Sequence, residues 1–182
     1  MAKRQKMSAE KPLAKNSDYL RQVREQYKNY PYPPRNPESE KSEFKYCSDS
    51  ALDRLNYYHY SGKRDFGKGF HALIAGGGTG DSVLFLAEQL KETDAQIIYL
   101  DFSAASMQAA QARAKIRGLT NITWMNASLL DAPDLFKEKF DFIECAGVLH
   151  HLESPEAGLA ALASVLKSDG VMGVMLPAIA NC

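Results

Sequence analysis

Three glycines and one carboxylate carry the first chemical signal in this chain. Gly76, Gly78 and Gly80 stand at alternate positions directly after the apolar run Phe70-His71-Ala72-Leu73-Ile74-Ala75. Glycine lets a backbone turn sharply and lets a ligand approach the main chain closely. An amphipathic stretch, Ser82 to Leu90, follows. Its start offers open N–H groups and the positive end of a helix dipole to polar ligand atoms. Asp101 closes a second apolar run, Gln96-Ile97-Ile98-Tyr99-Leu100. A carboxylate there lies beside the glycine turn, and its two oxygens can accept both hydroxyls of a ribose. The ring of Phe102, next in the chain, is placed to stack on an adenine. Together these residues describe a nucleotide-type pocket.

The spacing separates the versions of such a pocket. A dinucleotide site needs G-x-G-x-x-G, and Asp81 stands where its third glycine would be. A phosphate loop ends in Gly-Lys-Ser/Thr, which is absent here. The G-x-G-x-G form resembles the first motif of class I S-adenosylmethionine-dependent methyltransferases. Leu149-His150-His151-Leu152 resembles that family's segment after strand 4, and the resemblance runs from about residue 70 to 176. It implies S-adenosyl-L-methionine as cofactor, held by Ala75, Gly76, Gly78 and Gly80 at the first turn and by Asp101 and Phe102 at the second. Family members often hold the adenine with an aspartate two residues after strand 3. Ala127 occupies that place, so the contacts fall to Ala127, Ser128 and Leu129, with Cys145 adding one after strand 4.

The implied activity is methyl transfer to a small-molecule or peptide acceptor. This in-line displacement asks the protein mainly to align donor and acceptor and to exclude water. Three departures bear on it. The family usually carries an acid two places before the first glycine, where Ile74 stands here. Glu144-Cys145-Ala146-Gly147 is unlike the Asn/Asp-Pro-Pro-aromatic segment of nitrogen-methylating relatives. The chain also stops a few residues after strand 5. A non-catalytic donor-binding module, as a fragment of a larger enzyme, is therefore the alternative reading. A nicotinamide dehydrogenase is disfavoured by the glycine spacing.

Other chemistries find less support. Cys47, Cys145 and Cys182 form no metal or redox spacing. Cys145 lacks the Pro-Cys context of a cytosine-methylating nucleophile. His150 and His151, adjacent on a turn, are expected to point apart and to bind no metal; either is a candidate general base in oxygen methylation.

The elements that position these residues follow from the apolar pattern. The chain has 182 residues, 45% hydrophobic and 24% charged, with zero net charge. That fits one globular domain plus an extension, without a global bias toward nucleic acid or membrane. No apolar run reaches a membrane span, and the N-terminus lacks the apolar core of a secretory signal. A cytoplasmic setting is the default.

Residues 1–66 read as an N-terminal extension and 67–182 as the core. The extension holds a basic tail to about residue 15, a helix over 16–29, and a Tyr/Pro-rich stretch to Arg35 that is either a lid over the pocket or a rigid linker. A further helical stretch spans 50–60. Strands are expected at 70–75, 96–101, 121–125, 140–145 and 171–176. Helices fall between them at 80–91 and 104–117, and from a Ser154 cap to before Gly170. This alternation is an α/β, doubly wound, mainly parallel sheet with helices on both faces. Strand 5 would be an open, apolar edge, prone to self-association.

Overall fold

The computed structural model describes residues 31–177. The basic tail and the helix expected over 16–29 lie outside the described residues. Five strands form one sheet: β1 (His71–Ala75), β2 (Gln96–Leu100), β3 (Ile122–Met125), β4 (Phe140–Ala146) and β5 (Leu166–Met175). Their order is β3-β2-β1-β4-β5, and every pair is parallel. The chain reverses direction across the sheet after β3, so the strand ends at β1, β2 and β4 open a crevice.

The strands are apolar because both of their faces are covered. Alternate residues separate into two cores. Ala72, Ile74, Ile97, Tyr99 and Phe142 pack against Val83, Leu84, Ala110 and Ala114. These last four belong to helices α2 (Asp81–Gln89) and α3 (Ala104–Arg117). Leu73, Ala75, Leu100, Ile143 and Cys145 pack on the other side against Ala132 and Leu162. Those two lie on the short α4 (Ala132–Leu135) and on α5 (Pro155–Ser164). A first helix, α1 (Leu52–Tyr58), precedes β1, and its Leu52 and Leu55 pack on the first of these cores. Among the described residues no helix is long and apolar enough to cross a membrane.

Local signals set the helix ends. The Ser103 hydroxyl accepts from Ser106 N at 3.2 Å, and left-handed Gly118 closes α3 at the expected position. Ser154 caps α5 through Ala157 N at 3.1 Å. That helix is shorter than its sequence suggests: it stops at Ser164, and β5 starts at Leu166 rather than 171. Leu166 pairs with Phe140, and Lys167 Nζ reaches Asp141 Oδ2 at 2.7 Å, so pairing with β4 captures residues that would otherwise extend the helix. β5 is one of the two sheet edges among the described residues, β3 being the other, and Val174, Met175 and Leu176 at its end are exposed.

Buried charges lock residues 35–44 to the helices that follow the glycine turn and β2. Arg113 on α3 is 2% exposed. Its guanidinium meets Glu40 at 2.6 Å, Asp81 at 2.7 Å and the Thr79 carbonyl at 2.7 Å. Glu40 also accepts from Arg117, whose guanidinium lies 4.0 Å from the centre of the Phe44 ring. Arg35 reaches the second oxygen of Asp81 at 2.5 Å. Residues 35–44 are thereby bound to the start of α2 and to the C-terminal half of α3.

Breaking a buried charge pair leaves its partner uncompensated, at a cost of about 3–5 kcal/mol. Arg113→Ala is expected to lower unfolding free energy by about that amount in urea titrations. Acid should act at the same place. Burial opposes the charge on Asp81, but Arg35 and Arg113 outweigh it and hold this carboxyl below the ordinary 3.8. A depressed folded value stabilises the fold above the ordinary range, and the contribution is lost as pH falls through the folded value. The melting temperature should therefore fall below about pH 4, with a shallower slope in Asp81→Asn.

Candidate functional site

A cavity of about 300 Å³ opens at the carboxyl ends of β1, β2 and β4. Its floor is the turn after β1. Gly78 there has φ +52°, which favours a residue without a Cβ. Two groups from β2 fix this turn. Gly78 N donates to Asp101 Oδ2 at 2.8 Å, and the Tyr99 hydroxyl donates to the Gly78 carbonyl at 2.7 Å. The other Asp101 oxygen accepts from Ser103 N at 2.7 Å. Each carboxylate oxygen keeps a second acceptor position for a ligand. Burial pushes this carboxyl above its ordinary range, while the N–H groups of Ser103 and Gly78 pull it back in part.

The roof is main chain. Thr79 N donates to the Tyr32 carbonyl at 3.2 Å, and the Thr79 hydroxyl donates to the Pro33 carbonyl at 2.6 Å. A Cβ on Gly78 would come 2.6 Å from the Tyr32 carbonyl oxygen. The end of the Tyr/Pro-rich stretch thus covers the glycine turn; its part before residue 31 lies outside the described residues.

Most residues expected at the site line this cavity. Ala75, Gly76 and Gly78 come from the first turn, Asp101 and Phe102 from the second, and Ala127, Ser128 and Leu129 from the third. Two expected residues do not. Gly80, at φ +103°, faces α3, where a Cβ would lie 2.8 Å from the Ala110 Cβ and from Leu84 Cδ1. It serves close helix packing rather than the cavity wall. Cys145 is fully buried in the opposite core with Leu73, Ala75 and Ile143. Strand alternation sends its thiol away from the cavity, and burial pushes it up to about 12.

The same alternation brings forward a residue the sequence reading passed over. Glu144 lines the cavity, 2% exposed, with its carboxylate accepting from the hydroxyls of Ser50 and Ser82. An acid set among the apolar residues Phe142-Ile143-Glu144-Cys145, inside a strand, was the signal available for it. Asp81 and His151 also line the cavity. The His150 and His151 rings do not point apart as expected: their centres lie 3.9 Å from each other. Burial and the neighbouring His150 both hold His151 below its ordinary range.

Asp81, Asp101 and Glu144 are the acids on the wall, and among the described residues no lysine or arginine lines it. Asp81 sits at the start of α2, where a pyrophosphate would otherwise seek the helix N-terminus. The cavity therefore disfavours a phosphate-bearing ligand and suits a neutral nucleoside joined to a cation.

Comparison with known proteins agrees. A family model described as a methyltransferase domain matches residues 73–172. An uncharacterized protein of Synechococcus sp. is 43% identical over 105 residues, covering 57% of this chain and 24% of that protein. The tRNA 5-carboxymethoxyuridine methyltransferase of Escherichia coli K12 is 30% identical over 104 residues, covering 57% of this chain and 38% of the enzyme. This chain therefore spans well under two thirds of either relative. The structure of PKMT2 from Rickettsia typhi in complex with AdoHcy superposes with a TM-score of 0.52 at 25% identity, covering 58% of this chain and 20% of that one.

Gly78→Val should strain the left-handed turn and displace the Tyr32 carbonyl. The expected result is faster hydrogen exchange at the Thr79 amide with far-ultraviolet circular dichroism unchanged. Protection equal to that of the unsubstituted chain would show that the roof does not rest on this turn.

Proposed function

The chain belongs to the class I S-adenosylmethionine-dependent methyltransferase family, and we propose that its cavity holds the donor for transfer of the methyl group to an acceptor. The observation that carries this reading is the acidic wall, free of lysine and arginine among the described residues, at a nucleoside-sized crevice. The donor supplies an electrophilic methyl on a cationic sulfur. The chain's own residues bind, orient and exclude water. Asp101 offers its free acceptor positions to the ribose hydroxyls while its bonds to Gly78 N and Ser103 N keep it in place. Phe102 and the Ala127–Leu129 turn flank the side on which the adenine rests. Tyr32 and Pro33 shield the glycine turn from solvent.

The acceptor enters from the side of His151, Leu152 and Met175, the remaining wall of the cavity. A small molecule or a peptide is the acceptor class to be tried there first. The name of the Escherichia coli relative adds RNA to the acceptors to be tried. A donor-binding module without turnover is the second reading; the 24% and 38% shares of the relatives leave room for acceptor-binding parts elsewhere.

Calorimetric titration with S-adenosylmethionine, S-adenosylhomocysteine and NAD tests the donor reading. The first two should bind and NAD should not; binding of NAD alone would overturn it. Asp101→Ala should weaken S-adenosylhomocysteine by about 1.5–3 kcal/mol, since it removes a charge-assisted acceptor. A loss under twofold would place the ribose elsewhere.

A further inference from the structure

Among the described residues, Glu144 is a buried acid with no cation to balance it. Its Cα is paired with that of Ile74 on β1 and with that of Gly173 on β5, so it sits near the middle of the crevice floor. Asp101 lies at the end of β2, on the other side of β1. The two carboxylates thus flank the glycine turn. Asp81 is paired with Arg35 and Arg113, and Asp141 with Arg64 and Lys167. Among the described residues Glu144 has only the Ser50 and Ser82 hydroxyls. Asp49 nearby adds to the penalty that burial already places on its charge. An uncompensated acid in a buried position is costly. Two hydroxyl bonds, one to each oxygen, still leave each oxygen an acceptor position.

Those open positions need a donor with N–H or O–H groups, and the cost of the charge is best relieved by a cation. The sulfonium of S-adenosylmethionine is cationic but carries no hydrogen to donate. Its α-ammonium is cationic and carries three. If the ribose sits on Asp101 and the adenine at the Ala127–Leu129 turn after β3, the amino acid arm is left the direction across β1 toward β4. We propose that Glu144 receives the α-ammonium of the bound donor, an assignment that rests on the reading of this cavity as the donor site. Ser50 and Ser82 orient its oxygens, and Ser50 makes the extension part of the same subsite.

The test compares S-adenosylhomocysteine with its analogue in which hydrogen replaces the α-amino group, each titrated calorimetrically into the full chain and into Glu144→Gln. A glutamine can keep both seryl contacts, accepting one hydroxyl and donating to the other. The unsubstituted chain should prefer S-adenosylhomocysteine by at least about tenfold. Glu144→Gln should reduce that preference to under twofold and bind the deaminated analogue as the unsubstituted chain does. If the unsubstituted chain binds both ligands equally, or if the preference survives Glu144→Gln, the donor reading stands and this assignment falls. If neither ligand binds the unsubstituted chain, the donor reading itself fails. Should Glu144→Gln not fold, Glu144→Asp decides: drawing the charge back by one methylene must cut the preference severalfold, and an unchanged preference overturns the proposal.

Discussion

Two hydrogen bonds between neighbouring strand ends set the geometry of the glycine turn. Asp101 Oδ2 holds the amide of Gly78, and the Tyr99 hydroxyl holds its carbonyl, so β2 dictates the shape of the turn that follows β1. The turn in turn directs Thr79 toward the Tyr32 and Pro33 carbonyls and sets the start of α2. Without a fixed amide at Gly78, neither the floor nor the roof of the cavity would have a defined position. The carboxylate that is free to meet a ribose is therefore also the one that builds the surface around it.

A second constraint is electrostatic. Asp81 stands at the helix start that many nucleotide sites reserve for phosphate, and Arg35 and Arg113 neutralise it from behind. Both arginines are turned away from ligand duty by this pairing. The crevice is left with acids on its wall, a property of the neighbours of Asp81 as much as of the cavity residues themselves. Residues 35–44 contribute to the site in this indirect way, since Glu40 completes the cluster around Arg113.

Much of this was legible in the sequence. The alternation of short apolar runs with capped helices gave strands within a residue or two of their observed ends, and α3 in full, because Ser103 and Gly118 are strong local signals. β5 was misjudged by five residues, since its start is decided by Leu166 and Lys167 meeting β4, contacts distant in sequence. Glycine spacing located the turn but could not tell Gly78, which borders the cavity, from Gly80, which packs on Ala110. Cys145 is expected at the cavity and Glu144 lines it instead, for a similar reason. Adjacent residues of a strand face opposite sides, and which side is the crevice depends on the partner strand. Ile74 stands where the family usually carries an acid, and a buried acid, Glu144, stands directly across the pairing from it on β4.

The roof has a property of a different kind. It is fastened through the carbonyl oxygens of Tyr32 and Pro33, not through the tyrosine ring, which is 66% exposed. Main-chain fastening places little demand on the identity of residue 32. Selection can thus alter the outward side chain without loosening the cover beneath it. The inner surface is held constant by β1 and β2, while the outer one is available for divergence, so lineages sharing this core can change what they present to the surroundings at little cost to the crevice.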